Sequence, residues 1–267
     1  MEGARAALRL LVLPLLAAAC GEARGTLVTT AAPAFQPSPG ATWQVQLTGA
    51  LDSSLDVAIY DVDLFDTTQA QLDALHAAGR RVICYVSVGT YEPWRADAVS
   101  FPAAALGDAL AGFPNERWLD TRDATVRALM TARLDLATQK KCDGVDLSNV
   151  SPEGAATGFD ATVADAEAYA RLLAGAAHAR GLGAGLGGGS DVAAAVEGTF
   201  DWALTEGCLG DGTCAAFDGF RAGGKVVFGV EFGAEADAAT ICPAARAAGL
   251  DALIKNPSYD AFRVACP

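Results

Sequence analysis

Eight short apolar runs recur along the chain, separated by stretches whose apolar residues fall at helical spacing. The runs read as strands at WQVQL (43–47), VAIYDVD (57–63), RVICYVSV (81–88), GVDLSNV (144–150), GAGLGGG (183–189), FDWALTE (200–206), VVFGVEF (226–232) and ALIKNP (252–257). Between them, TTQAQLDALHAAGR places Leu72, Leu75 and His76 at i, i+3, i+4. The stretch ATVRALMTARLDLATQKK does the same with Val126, Leu129, Met130 and Arg133. Gly79, Gly181, Gly224 and Gly249 stand where these helices would end, just ahead of the next strand. Eight strands alternating with helices predict an α/β fold of one domain, a (β/α)8 TIM barrel. An open, doubly wound sheet is the competing topology, but no GxGxxG fingerprint opens the first βα unit.

The first twenty residues break this pattern. MEGARAALRLLVLPLLAAAC has Arg5 and Arg9, an apolar run from Leu10 to Ala19, then Cys20. A basic start, a short apolar core and small residues make a secretory signal over 1–20, too short to span a membrane as a helix. Ala-Ala-Ala-Cys before Gly21 also resembles a bacterial lipoprotein site, with Cys20 as the lipid-bearing residue; an ordinary signal cut nearby is the alternative. Either way the protein is exported, as a cell-envelope lipoprotein or a secreted protein, and a membrane enters only through that lipid. Residues 21–40, rich in Ala, Thr and Pro, read as a flexible linker, and 41–267 as the barrel domain.

Six cysteines remain beyond Cys20, an even count that permits disulfides in an exported chain. Cys208 and Cys214 flank a tight Gly-rich loop and are expected to pair. Cys242 with Cys266 would tie the chain end to a helix start. Cys84, inside an apolar run, reads as a buried thiol. No cysteine or histidine grouping has zinc spacing, so neither metal nor other cofactor is expected. The formal charge of −13 argues against a nucleic-acid partner and suits a cationic one. A monomer is expected.

In such a barrel the chemistry sits at the carboxyl ends of the strands. There the chain carries Asp61 and Asp63, Asp146, Glu206, Glu231 and also Lys255. Converging acids suit glycoside hydrolysis, which takes one carboxylic acid to protonate the leaving oxygen and a second carboxylate as base or nucleophile. Any single strand-end Asp can instead cap a helix or pair with an arginine. His76 and His178 fall in last helical turns, where a cation is favoured, and carry no catalytic reading. Arg122, Arg127 and Arg133 read as members of helix-surface ion pairs.

The ordered pieces YDVDLFDT, VICYVSVGTYEPWRAD, RWLDTRDATVRALMTARLDLA, CDGVDLSNV, FDWALTEGC and KVVFGVEF resemble glycoside hydrolase family 114, from about Trp43 to Cys266. The resemblance implies an exported TIM barrel of the endo-α-1,4-polygalactosaminidase kind, acting on a galactosamine polymer that is a polycation when deacetylated. Asp63, Tyr85, Tyr91, Glu92, Trp94, Arg95 and Glu231 fit the family pattern. The family's fourth strand reads like DGVEPDNVD against DGVDLSNVS here, so Asp146 and Asn149 correspond, whereas Ser148 replaces a carboxylate. A Lys-Asn pair on strand five becomes Gly187 and Gly188, and NEQC on strand six becomes TEGC, which keeps Glu206 and Cys208 but substitutes Thr205 and Gly207.

The expected catalytic pair is Glu206 as general acid and Asp146 as second carboxylate. Asp63, Tyr85, Tyr91, Trp94, Arg95, Asn149, Glu231 and Lys255 are expected around the substrate, with Arg95 positioning a carboxylate. Asp63 or Glu231 is the alternative partner of Glu206. Three readings stay open: a glycosidase, a polysaccharide-binding barrel that has lost hydrolysis at Ser148, and a purely structural surface lipoprotein, which leaves the strand-end acids unexplained.

Overall fold

The computed structural model describes residues 35–266. The signal segment, Cys20 and most of the linker therefore lie outside the described residues. Eight parallel strands form one sheet in chain order: β1 (Trp43–Gln46), β2 (Ile59–Asp63), β3 (Arg81–Ser87), β7 (Gly144–Ser148), β8 (Gly183–Gly187), β9 (Trp202–Glu206), β10 (Val227–Phe232) and β11 (Asp251–Lys255). Each predicted window overlaps one of them, the last strand starting one residue early, at Asp251. The curled parallel sheet with outer helices is a TIM-barrel fold. Trp43 Nε1 donates to Asp251 O (3.1 Å) and Gln44 Nε2 to Ala261 O (3.1 Å), linking the first strand to the last part of the chain.

Among the described residues, two helices of an idealised barrel are missing. Residues 47–58 join β1 to β2 through turns, since TGALDSSL carries no apolar stripe. After β11 the chain returns as β12 (Val264–Ala265), antiparallel to β11 and fastened by Cys242–Cys266. A three-stranded antiparallel sheet, absent from the sequence reading, follows β3. It comprises β4 (Thr90–Tyr91), β5 (Leu106–Leu110) and β6 (Phe113–Leu119), in the order β4-β6-β5.

The long helices are α1 (Gln69–Ala77), α2 (Ala124–Gln139) and α3 (Val163–His178), with α7 (Ala238–Ala247) ahead of β11; α4 (Ala193–Val196), α5 (Cys208–Asp211) and α6 (Asp218–Ala222) are short. Thr68 and Thr162 start α1 and α3 through capping boxes with Gln71 and Asp165, and Asp123 caps α2. Each such cap stabilises its helix by about 1 kcal/mol. Leu72, Leu75, Met130, Leu134 and Leu173 bury fully against the outer face of the sheet. Each contributes about 1.5–3 kcal/mol by leaving water.

Inside the barrel, Trp43, Ile83, Trp202, Phe228, Val230 and Leu253 form a second apolar cluster. Trp202 takes its place because Gly144, Gly183 and Gly185 face it: a Cβ on any of the three would collide with the indole. Phe35 packs edge-on against Trp202 at 6.0 Å, and Gly40 N donates to Asp251 Oδ2 (2.7 Å). The end of the expected linker is thus packed onto the barrel.

Two sequence expectations need correction, and a third is extended. Cys84 is no free thiol but pairs with Cys142, which precedes β7 beside the outer side of β3; Cys208–Cys214 and Cys242–Cys266 pair as expected. Arg133 is 2% exposed, with Nε and Nη2 on Asp97 (2.8 and 3.0 Å) and Nη1 on Ser87 O (2.8 Å). The helical spacing had placed it on the buried face, and its charge is satisfied there rather than at the surface. His76 and His178 do more than end helices: they meet Asp143 (3.1 Å) and Asp201 (2.8 Å), the residues that precede β7 and β9.

Candidate active site

Strand alternation turns Asp61 and Asp63 to the same side of β2. Register then sets Asp63 beside Tyr85 and Tyr85 beside Asp146, with Ser87, Ser148 and Gly187 forming the next rung. These rungs floor a cleft of about 640 Å³. Of the residues expected around the substrate, Asp63, Tyr85, Trp94, Arg95 and Asn149 lie in its wall, as do Ser148 and the expected acid Glu206, whereas Asp146 is buried behind it.

Asp63 is fully engaged. It accepts from the backbone N–H of Phe65 and Asp66 (2.8 Å each) and from both ends of the Arg95 fork, Nη1 at 3.1 Å and Nη2 at 2.6 Å. Arg95 also donates through Nε to Glu92 (2.9 Å) and lies over the Phe65 ring at 4.6 Å. Burial raises the Glu92 pKa, against the opposing pull of Arg95. Arg95 therefore acts on carboxylates, and its charge is spent within the protein.

Asp146 is 2% exposed and stands one rung below Ser148, whose hydroxyl donates to Oδ2 at 3.3 Å. Burial, reinforced by the charge of Glu206, pushes its carboxyl up to about 7, with the Ser148 hydroxyl pulling the other way. Asp146 Oδ1 meets no protein partner. It points instead at Gly187, where any Cβ would collide with it and with Ser148 Oγ. Gly187 and Ser148 line the cleft, and Asp146 stands directly behind them.

Glu206 ends β9 with its side chain open to the cleft. The protein around it still removes enough water to raise its pKa, while the Tyr259 hydroxyl opposes the rise. That hydroxyl lies against the carboxylate without reaching full hydrogen-bond geometry. The sequence reading missed Tyr259, which belongs to no periodic run. Its carbonyl accepts from Leu47 N (2.8 Å), fixing the loop after β11 to the end of β1. Asp61, 1% exposed, lies deeper; its pKa is pushed well up by burial and then by Asp146, Asp63 and Glu206. Tyr85 is likewise raised by burial and the surrounding acids, so it stays a hydrogen-bond donor.

Asn149 adopts a left-handed conformation (φ 60°), which Asn tolerates better than most residues, and donates Nδ2 to Ser87 Oγ at 2.9 Å. Gly89 is obligatory beside it, because a Cβ there would run into Asn149 O.

Three expected substrate neighbours stand outside the cleft wall. Tyr91 packs edge-on against Phe101 at 5.8 Å. Glu231 accepts from Leu209 N (3.2 Å) and holds the short α5. Lys255 is completely buried, donating to Asp260 O at 2.7 Å, and burial lowers its pKa to about 8. The sulfurs of Cys208 and Cys214 approach the Glu231 carboxylate, but their disulfide leaves no thiolate to ligate a metal. The departures from the family pattern gather in one corner: Ser148, Gly187, Gly188 and Thr205 all line the cleft.

Residues 25–267 match the profile of Glycoside-hydrolase family GH114. The fold is similar to that of Ega3 from Aspergillus fumigatus, solved as a complex with galactosamine, at 36% identity over 88% of this chain and 98% of that one (TM-score 0.84). It is also similar to the glycoside hydrolase domain of PelA from Pseudomonas aeruginosa, at 15% identity over 84% and 98% (TM-score 0.67), a likeness of fold alone. An isomalto-dextranase from Arthrobacter globiformis T6 shares the fold more distantly, at 12% identity over 84% of this chain and 55% of that one (TM-score 0.52). Among curated proteins there is no match. With the profile spanning nearly the whole sequence and strand-end acids converging on one cleft, the chain belongs to Glycoside-hydrolase family GH114 and is a glycosidase.

Proposed function

We propose that the protein cleaves an α-1,4-linked galactosamine polymer in its cationic, deacetylated form, with Glu206 and Asp146 as the carboxyl pair. The observation that carries this reading is the sign of the cleft wall. Asp63, Asp66, Glu92, Glu116, Glu153, Glu206 and Asp211 line it, and the one cationic side chain among the described lining residues, Arg95, is already paired with Asp63 and Glu92. Such a cleft concentrates polycations and repels anionic polymers. The family relation and the galactosamine bound to Ega3 point to the same sugar.

Glu206, raised and open to the cleft, delivers its proton to the glycosidic oxygen as the bond to the anomeric carbon breaks. Asp146, directly behind Gly187 and Ser148, is the second carboxylate; water adds to the anomeric carbon, and its proton returns to the carboxyl pair. The Tyr259 hydroxyl lies against Glu206, and Tyr85 stands beside Asp146 in the sheet register.

A second reading has its own observation. Ser148 takes the cleft-facing rung where the family carries an acid, and Asp146 sits behind it. In that case the barrel binds the polymer without cutting it.

Incubating the protein with deacetylated and partly acetylated galactosamine polymer and measuring new reducing ends separates the two. Cleavage abolished in Glu206→Gln is expected; binding without cleavage would sink the enzyme reading for this substrate. Export is part of the proposal, by a signal over 1–20 with lipid on Cys20 and the barrel domain starting near residue 41. The three disulfides of the described residues support an oxidising destination. Palmitate labelling that vanishes in Cys20→Ser tests the lipid.

A further inference from the structure

The antiparallel sheet after β3 is unused by this mechanism, yet its hairpin turns one face into the cleft. Leu110, Phe113 and Glu116 line the cleft, while their neighbours Ala111, Gly112, Pro114 and Asn115 are exposed. Phe113 is 55% exposed, as is Trp94 across the same cleft; no aromatic side chain among the described residues is more exposed. An aromatic ring kept bare in a concave acidic wall calls for an apolar partner.

The rest of the hairpin is firmly placed. β6 pairs with β4 through Thr90 and Trp118, Arg117 Nε donates to Gly107 O (2.7 Å), and Asp108 N donates to Thr157 O (2.8 Å). Glu116 is tied to the centre of the site. Its Oε2 accepts from Thr90 Oγ1 (2.9 Å), Thr90 meets the Ser87 hydroxyl, and Ser87 accepts from Asn149 Nδ2 (2.9 Å). Burial raises the Glu116 pKa, so its charge is one that a cation would compensate.

We propose that this hairpin forms an outer subsite for one further aminosugar of the bound chain, with the Phe113 ring against the sugar's apolar face and the Glu116 carboxylate taking its ammonium. Sugars present C–H-rich faces that pack on aromatic rings, and a half-buried carboxylate in the same wall takes the amine. The hairpin grows from β3 and Glu206 ends β9, three strands away in the sheet order β3-β7-β8-β9. Phe113 lies five residues along β6 from Trp118, the partner of Thr90, roughly 16 Å at a strand's rise, so we place the ring where a long chain reaches it and a trimer seated on the carboxyl pair does not. The subsite therefore favours polymer over oligomer. This rests on the aminosugar reading above.

The test compares wild type, Phe113→Ala and Phe113→Trp on a deacetylated galactosamine polymer of a few dozen units and on the trimer. Phe113→Ala should raise KM for the polymer about fivefold or more, leave trimer kinetics and the melting temperature unchanged, and be rescued by Phe113→Trp. Equal effects on both substrates, or no effect on the polymer, would overturn the proposal. So would a concentration-dependent dimer that is lost in Phe113→Ala, which would make the ring a contact between copies. Should wild type cut neither substrate, calorimetric binding of the same two ligands reads the same length contrast, and the hydrolase reading then falls on its own.

Discussion

Asp146 lies directly behind Gly187: the unpaired Oδ1 of the one fills the space a side chain on the other would need. Position 187 must stay side-chain-free for as long as Asp146 and Ser148 hold their places. The Ser148 and Gly187 departures from the family pattern are therefore one structural change, since the two residues are partners on neighbouring strands.

That relationship predicts the behaviour of Gly187→Ala. The added methyl displaces Asp146 or Ser148 at a destabilisation of about 1–3 kcal/mol. It should lower kcat at least about tenfold, because small displacements of a reacting group cost rate steeply. Gly188→Ala is the control. Its φ of 70° strains any side chain, but a Cβ there comes no closer to a neighbour than 4.0 Å, to Glu153 Oε2. It should lose stability with little change in kcat. Equal kcat losses at both positions would detach Asp146 from the reaction.

The raised carboxyl of Asp146 makes stability depend on pH. Its folded pKa of about 7 lies above the ordinary 3.8, so between those values the folded protein holds more protons than the unfolded chain. The stabilisation is complete below about pH 4 and lost as pH rises through 7. Asp146→Asn, which is never charged, should gain melting temperature relative to wild type by several degrees at pH 8 and by much less at pH 4. Melting curves across that range check it, and a difference independent of pH would refute the buried charge.

How much of this was legible in the sequence depended on whether the signal was local. Each barrel strand lies in a window that apolar runs and terminal glycines mark out, and Gly79 and Gly249 do take the left-handed φ (77° and 68°) that a helix end asks for. The β4–β6 sheet escaped notice because Pro114 lies inside β6, whose first five residues are mostly exposed and show no alternation. Cys84 and Cys142 are 58 residues apart, and nothing local records that separation being closed. Tyr259 and Phe113 arrive from a loop and a hairpin tip, where no periodicity guides a reader. Lys255 and Glu231 were expected in the site for their position near strand ends, and both turned out to serve the scaffold.

The three disulfides should differ in what their removal costs. Cys84–Cys142 closes 58 residues and Cys208–Cys214 only 6. By loop-closure entropy the first stabilises by about 4 kcal/mol and the second by about 2 kcal/mol. Urea unfolding of Cys84→Ser/Cys142→Ser and Cys208→Ser/Cys214→Ser should show that order. The short loop carries Asp211 and Thr213 into the cleft wall, so the second variant should lose more activity than stability.

Arg95 provides the sharpest test of the scaffold around the site. Its side chain is 6% exposed, and those of its partners Asp63 and Glu92 are 5% and 4% exposed. Replacing Arg95 with Leu strands two buried carboxylates, at about 3–5 kcal/mol. Arg95→Lys should recover only part of this, because one ammonium cannot reproduce a fork that grips Asp63 with two nitrogens while Nε holds Glu92. The pH dependence follows from Glu92, which burial already lifts above the ordinary range. Without the guanidinium it rises further, so Arg95→Leu should approach wild-type stability in acid and fall away as pH increases. Thermal melting of the three proteins from pH 4 to 8 reads this directly, and a deficit that stays constant across the range would mean that packing on Phe65, rather than charge, is what Arg95 supplies.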